Sequence, residues 1–247
     1  MSKMINLYPI KEFRFPVIAN CITPDVFQGK SFLEIQDLEI WEGNKQRRLE
    51  ELFKVEITGE EETSITIHGD LSKVRKIGTN MSCGDITIKG NTGTHLGEEM
   101  KGGKITVHGN VGGWAGSIMK GGTIEIHGDV SGYLAAPYRG SNEGMQGGEI
   151  TIYGNAGNEA GAHMKKGLIK IHGNAGQFAG LRMHKGTIYI QKNCRGRAGA
   201  CMKDGKIIVS GKLESMLPSF TIIDIKKKVK IRKDEVAEGP FYRFLGD

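Results

Sequence analysis

The chain has 247 residues, 38% of them hydrophobic and 25% charged, with a formal net charge of +6 and 37 glycines against 6 prolines. This balance permits a sizeable core and excludes a disordered chain, while glycines without a Gly-X-Y period exclude collagen and point to recurrent tight turns. No apolar run has the length of a secretory leader or a membrane span, and Cys21, Cys83, Cys194 and Cys201 have neither zinc nor ferredoxin spacing, so a cytoplasmic protein with reduced, structural thiols is expected.

Residues 1–62 show no internal repeat and are expected to form an N-terminal capping or docking segment. From Thr63 a repeat takes over. Met81, Met100, Met119, Met145, Met164, Met183 and Met202 each sit in a version of G-x-x-M-x-x-G-x-I-x-I-x-G, at intervals of 19 residues except for one of 26 between Met119 and Met145. Each unit carries an alternating apolar pair, such as Ile105/Val107, Ile124/Ile126 and Ile150/Ile152, which is a period-2 strand with one buried face. A unit this short cannot close its own core, but stacking units at strand spacing lets equivalent residues pile into internal columns.

Glycines before the methionine (Gly97, Gly116, Gly161, Gly180, Gly199) and after it (Gly84, Gly103, Gly122 and their successors) mark corners that need positive φ or close backbone approach. Ten residues after each of the first six methionines stands Asn91, Asn110, Asp129, Asn155, Asn174 or Asn193. These residue types tolerate left-handed backbone and can stack as a ladder. The expected fold is all-β, a right-handed parallel β-helix (solenoid) of about seven 19-residue coils over residues 63–211, with residues 212–247 as a C-terminal cap or docking tail. Its open ends would expose unpaired strand edges that a cap or a partner must cover.

Few residues in the repeat suggest chemistry. GNAG and GNVG recur once per coil as corners and match neither phosphate-binding glycine motif. The outward column His68, Lys89, His108, His127, Tyr153, His172, Gln191 and Ser210 is a solvated ladder, because two stacked imidazoles with only Glu125 nearby fall short of a metal site. A cationic edge follows the methionines at Lys101, Lys120, Lys165, Lys166, His184, Lys185 and Lys203, suited to a solvated face, an acidic protein surface or a polyanion. Nucleic acid is disfavoured because no aromatic platform or recognition helix accompanies the charge. The extra residues fall around Ser131–Glu143, where Tyr133, Pro137, Tyr138, Arg139 and Gly140 interrupt the uniform surface. A loop there suits display, with Arg139 able to hold a carboxylate through two hydrogen bonds and the aromatics anchoring a partner. No catalytic, cofactor-binding or metal-ligating set emerges from the repeat.

The repeat GEEMKGGKITVHGN and its relatives resemble the β-helical domain at the end of the large glutamate synthase subunit and, more closely, the C subunit of formylmethanofuran dehydrogenase. The features that favour the latter lie outside the repeat: Pro24-Asp25-Val26-Phe27, Trp41-Glu42-Gly43-Asn44, Leu52-Phe53, Pro137-Tyr138-Arg139-Gly140 and Gly239-Pro240-Phe241-Tyr242. Members of that family usually continue beyond the Gly-Asp that corresponds to Gly246-Asp247. The resemblance implies a non-catalytic scaffold within an oxidoreductase complex that reduces carbon dioxide and forms N-formylmethanofuran, the first step of methanogenesis. It also implies that a tungsten or molybdenum pterin, iron–sulfur clusters and a dinuclear metal site lie on other chains, which are formate-dehydrogenase-like, amidohydrolase-like and ferredoxin-like. Within that picture the Arg139 loop and the edge of Lys101, Lys120, Lys165 and Lys185 are expected to receive partner surface or the anionic glutamyl tail of methanofuran. Two alternatives share the scaffold: the C subunit of a non-redox formyltransferase/hydrolase complex, and a glutamate-synthase-like module.

Overall fold

The computed structural model describes residues 2–59 and 61–246. Its spine is a ten-stranded sheet in the spatial order Lys206–Val209, Thr187–Ile190, Leu168–Ile171, Glu149–Ile152, Thr123–Ile126, Lys104–Val107, Asp85–Lys89, Glu61–His68, Ser2–Pro9 and Phe53–Thr58. The eight strands from Glu61–His68 to Lys206–Val209 belong to successive coils and pair in parallel, so the chain is a parallel β-solenoid with one coil more than the methionines alone mark.

The register is set by side-chain chemistry. Ile65, Ile86, Ile105, Ile124, Ile150, Ile169, Ile188 and Ile207 are Cα partners in one column, and the residues two further on, from Ile67 to Val209, form a second. A one-residue slip would turn both columns to solvent, which makes the register costly to change. A second wall consists of single bridges through Leu71, Thr92, Val111, Val130, Ala156, Ala175, Cys194 and Leu213. Met81 to Met183 are fully buried between the walls, and burial of each such side chain contributes roughly 1.5–3 kcal/mol. Each methionine ends against a glycine of the next coil: a Cβ on Gly103 would lie 2.6 Å from Met81 Cε, and one on Gly122 would lie 2.8 Å from Met100 Cε.

The Asn/Asp column forms the expected ladder, but not through left-handed backbone. Asn91 Oδ1 accepts from the Asn110 N–H at 2.9 Å, Asn110 from Asp129 at 2.8 Å and Asp129 from Asn155 at 2.7 Å, and the series runs on to Lys212. None of these ladder residues has positive φ. Positive φ falls instead at the glycines after the methionines, such as Gly103 and Gly122, and at the corner before them, where non-glycine residues share it, as at His95, Gly97 and Glu99 or Trp114, Gly116 and Ile118. The backbone path there is dictated by closure of the coil, and it overrides the preference of L-residues.

The N-terminal residues close one end. Ser2–Pro9 pairs parallel to Glu61–His68 and antiparallel to Phe53–Thr58, which turns the parallel edge into an antiparallel one. Two short helices follow, Pro24–Phe27 capped by Thr23 and Phe32–Gln36 opened by a Ser31/Glu34 capping box, and they bury Phe27 and Ile35. At the other end a long hairpin, Thr221–Arg232 with Glu235–Leu245, lies across the outer face of the sheet. There Ile231 and Ala237 pack on Leu168 and Ile208.

Candidate functional site

The inserted residues leave the coil later than the sequence suggests. Val130 still bridges Val111 and Ala156, and the Ala135 N–H still donates to the Ala115 carbonyl at 2.7 Å. The coil resumes where the Met145 N–H donates to the Ala135 carbonyl at 3.1 Å, so residues 136–144 form a loop closed at its base. Buried Ser117 Oγ donates to the Ala136 carbonyl at 2.7 Å and fixes one foot. The Gly144 N–H donates to the His163 carbonyl at 3.2 Å and fixes the other.

At the apex the Ser141 N–H donates to the Tyr138 carbonyl at 3.1 Å, closing a four-residue turn with Arg139 and Gly140 at its centre. Gly140 has φ +93°, the conformation that position demands of glycine in a type II turn. Arg139 is thereby held at an exposed tip, and Tyr138 beside it is 50% exposed.

The loop roofs a pocket of about 300 Å³. All five residues singled out here by sequence line it: Tyr133 from the coil, and Pro137, Tyr138, Arg139 and Gly140 from the loop. The lysines do not. Lys120 is paired with Glu99 at 2.7 Å and Lys165 with Glu143 of the loop at 2.7 Å, while Lys101 and Lys185 lie exposed along the edge. The cationic edge is therefore interrupted by acids from neighbouring positions, and one of its members serves to pin the loop.

Trp114, Glu159, His163 and Arg182 also line the pocket and were not singled out from sequence. The 19-residue offset held the signal, since His163 and Arg182 occupy the same place in successive coils, as do His95, Trp114 and Tyr133. His95 stacks on Trp114 with centroids 5.5 Å apart, and Trp114 stacks on Tyr133 at 4.4 Å. The stack ends there, because the next residue of the column is Glu159. Behind it, buried Glu98 is bonded by His95 at 3.2 Å and by Lys76 at 2.9 Å, and these partners hold its carboxyl down at about 2. Burial first, and then the nearby Arg182 and His184, lower the pKa of His163 and favour its neutral form.

The outward ladder is a solvent-facing aromatic stack: His108, His127, Tyr153 and His172 follow one another with centroids 4.8–5.1 Å apart. Glu125 is paired with Lys104 at 2.9 Å. Among the described residues no group of three or more His, Cys, Asp or Glu side chains could hold a metal ion. Among the described residues no helix is long and apolar enough to cross a membrane.

Fold and site together define a parallel β-solenoid that carries an aromatic- and arginine-lined loop pocket on its surface. No family model matches the chain. Curated relatives include the C subunit of the molybdenum-containing formylmethanofuran dehydrogenase 1 of Methanothermobacter marburgensis, 44% identical over 91 residues, covering 37% of this chain and 23% of the relative. Its counterpart in Methanosarcina barkeri is 41% identical over 99 residues (39% and 33%), and the C subunit of the tungsten-containing formylmethanofuran dehydrogenase 2 of Methanothermobacter wolfeii is 41% identical over 102 (39% and 37%). The matched stretches thus span well under half the length of these relatives. The crystal structure of the formyltransferase/hydrolase complex of Methylorubrum extorquens with methylofuran contains a chain that superposes with a TM-score of 0.84 at 30% identity, over 90% of this chain and 82% of that one. The chain is thus similar in sequence to formylmethanofuran dehydrogenase C subunits over 37–39% of its length and shares its fold with a chain of the formyltransferase/hydrolase complex.

Proposed function

We propose that this chain is the scaffold of a cytoplasmic formylmethanofuran dehydrogenase, the complex that reduces carbon dioxide and forms N-formylmethanofuran. The observation that carries the proposal is the identity of 41–44% to the C subunits of both molybdenum- and tungsten-containing enzymes, on a fold that the solenoid shares over nearly its whole length with one chain of a multi-chain complex. A solenoid suits the role, since its rigid walls keep docked partners at fixed separations. In this proposal the pterin, iron–sulfur and dinuclear metal centres lie on formate-dehydrogenase-like, ferredoxin-like and amidohydrolase-like partners. The described residues of this chain supply no thiolate or imidazole cluster that would fit them.

Within the scaffold, residues 1–62 and 212–247 act as docking segments around the solenoid. Tyr133, Pro137, Tyr138, Arg139 and Gly140, with Lys101, Lys120, Lys165 and Lys185, contact partner surface or the glutamyl tail of methanofuran.

A second reading has its own support: the 30% identity and 90% coverage against the formyltransferase/hydrolase complex fit a non-redox assembly with the same scaffold. Purifying the native assembly, identifying its chains by mass spectrometry and measuring bound metal separates the two. Molybdenum or tungsten with a formate-dehydrogenase-like chain supports the dehydrogenase. Their absence, together with a formyltransferase chain, overturns it.

A further inference from the structure

The hairpin of Thr221–Arg232 and Glu235–Leu245 is only half seated on the solenoid. Ile231 and Ala237 pack on Leu168 and Ile208, Lys206 Nζ donates to the Lys230 carbonyl, and Arg232 pairs with Glu149. Away from that contact Ile222, Ile223, Ile225, Tyr242 and Leu245 are 49–66% exposed. The register sets Ile222 opposite Phe244 and Ile225 opposite Tyr242, so these four side chains share one face of the hairpin.

The backbone is open as well. The two strands form a sheet of their own, and among the described residues no main-chain hydrogen bond joins Thr221–Lys228 to any element but Glu235–Leu245. In an antiparallel pair alternate residues turn their N–H and C=O groups away from the partner, so one long edge of this stretch presents unpaired groups. On the other strand Pro240 lacks a donor and stands at a register shift, which blunts its outer edge. Thr221–Arg232 holds no proline, and the one extra residue along Thr221–Lys228, Ile223, falls near the start.

Charge decides what such an edge takes. From Lys203 to Lys233 stand nine Lys and Arg against three Asp and Glu, which accounts for the whole formal net charge of +6. Lys226 and Lys228 are paired with Asp224 and Glu238, but among the described residues Lys227 and Lys230 have no carboxylate partner.

We infer that Thr221–Lys228 is a strand-addition edge for an extended segment of a partner chain, whose acidic residues face the lysines and whose apolar residues face Ile222, Ile225 and Tyr242. Main-chain bonds along the edge supply affinity, and the order of apolar and acidic residues supplies specificity. A second copy of this chain fits worse. Paired along the whole of Thr221–Lys230, it sets Lys226 against Ile225 and Lys228 against Ile223 when antiparallel, or lysine against lysine when parallel, and it doubles the excess of cations. A lipid surface also fits worse, because the open N–H and C=O groups beside the isoleucines would be stranded in hydrocarbon.

The inference rests on residues 212–247 being a docking segment, as proposed above, and adds which edge docks and to what. The test compares hydrogen–deuterium exchange of Thr221–Lys228 in the full chain alone and in the native assembly, and cross-links lysines to carboxylates in the assembly with a carbodiimide. Exchange in this stretch should be slowed about tenfold or more in the assembly, and Lys227 or Lys230 should cross-link to an Asp or Glu of another chain. Both signals should be lost in a Lys227→Glu/Lys230→Glu variant that melts as the wild type does, and the protection should weaken in Ile222→Thr/Ile225→Thr, which keeps the lysines. A cross-link only to a second copy of this chain, or equal protection on adding phosphatidylglycerol vesicles to the chain alone, would overturn the inference. Partner chains retained with Thr221–Lys228 unprotected overturn it while leaving the scaffold reading in place. A chain that purifies without partners overturns both.

Discussion

The indole of Trp114 lies on the phenol ring of Tyr133, centroids 4.4 Å apart and planes within 7° of parallel, although both residues occupy left-handed backbone at φ +61° and +68°. The stack is thus built on a conformation that costs L-residues about 1–2 kcal/mol each. Removing the indole should destabilise the chain by about 2–4 kcal/mol through lost packing and stacking. Trp114→Gly should be the milder of two truncations, more stable than Trp114→Ala by about 0.5–1 kcal/mol, because relief of left-handed strain exceeds the entropy glycine adds to the unfolded chain. Urea unfolding of both variants checks the order, and it should invert at a position with negative φ.

The close approach of coils makes some glycines irreplaceable for reasons other than φ. A Cβ on Gly109 would lie 2.5 Å from the Gly90 carbonyl oxygen and 2.6 Å from Asn91 Oδ1, the latter fixed in the ladder. Gly109→Ala should cost about 1–3 kcal/mol as an overpacked site that cannot relax. At Gly140, with φ +93° and nothing within 4 Å of a Cβ, alanine meets only the conformational penalty of about 1 kcal/mol. Thermal melts of the two variants should separate accordingly.

Glu98 makes stability depend on acid. Its carboxyl is held at about 2 against an ordinary 4.5, first by the His95 hydrogen bond and then by Lys76. A depressed folded value means that the carboxylate contributes fully above pH 4.5 and loses that contribution as pH falls towards 2. Wild type should exceed Glu98→Gln by about 2–3 kcal/mol near neutrality, and the gap should close across that acid window. Denaturant midpoints of both proteins as a function of pH measure it, and a gap that stays constant would contradict the assignment.

The recognition role of loop and edge predicts that Arg139→Ala and Lys120→Glu, the latter placing two carboxylates where Lys120 now pairs with Glu99, weaken assembly or the apparent affinity for methanofuran. Co-purification of partner chains and a methanofuran titration read both. If neither changes in either variant, the loop and the edge do not contact partner or substrate.

The columns were legible in the sequence because burial selects the same residue type at every turn: Ile105, Ile124 and Ile150 have one environment and one solution. The insertion was legible because it breaks that period. Trp114, Glu159, His163 and Arg182 were not, since their column changes identity from coil to coil and only stacking brings them under the loop. The left-handed corners at His95, Trp114 and Ile118 escaped for a related reason, as closure of the coil imposes a backbone that the local residue disfavours. The hairpin Thr221–Leu245 gave a weak strand pattern because most of its residues face solvent on both sides, so residues 212–247 read as a cap or docking tail without defined strands.

The amide ladder also gives the molecule a direction. In each rung the backbone N–H of the later coil is satisfied by a side chain of the earlier one, Asn110 by Asn91 and Asp129 by Asn110. A ribosome releases the chain in the same sense, at a pace that lets early parts fold first. Every new coil therefore emerges onto a finished platform that already displays its acceptor.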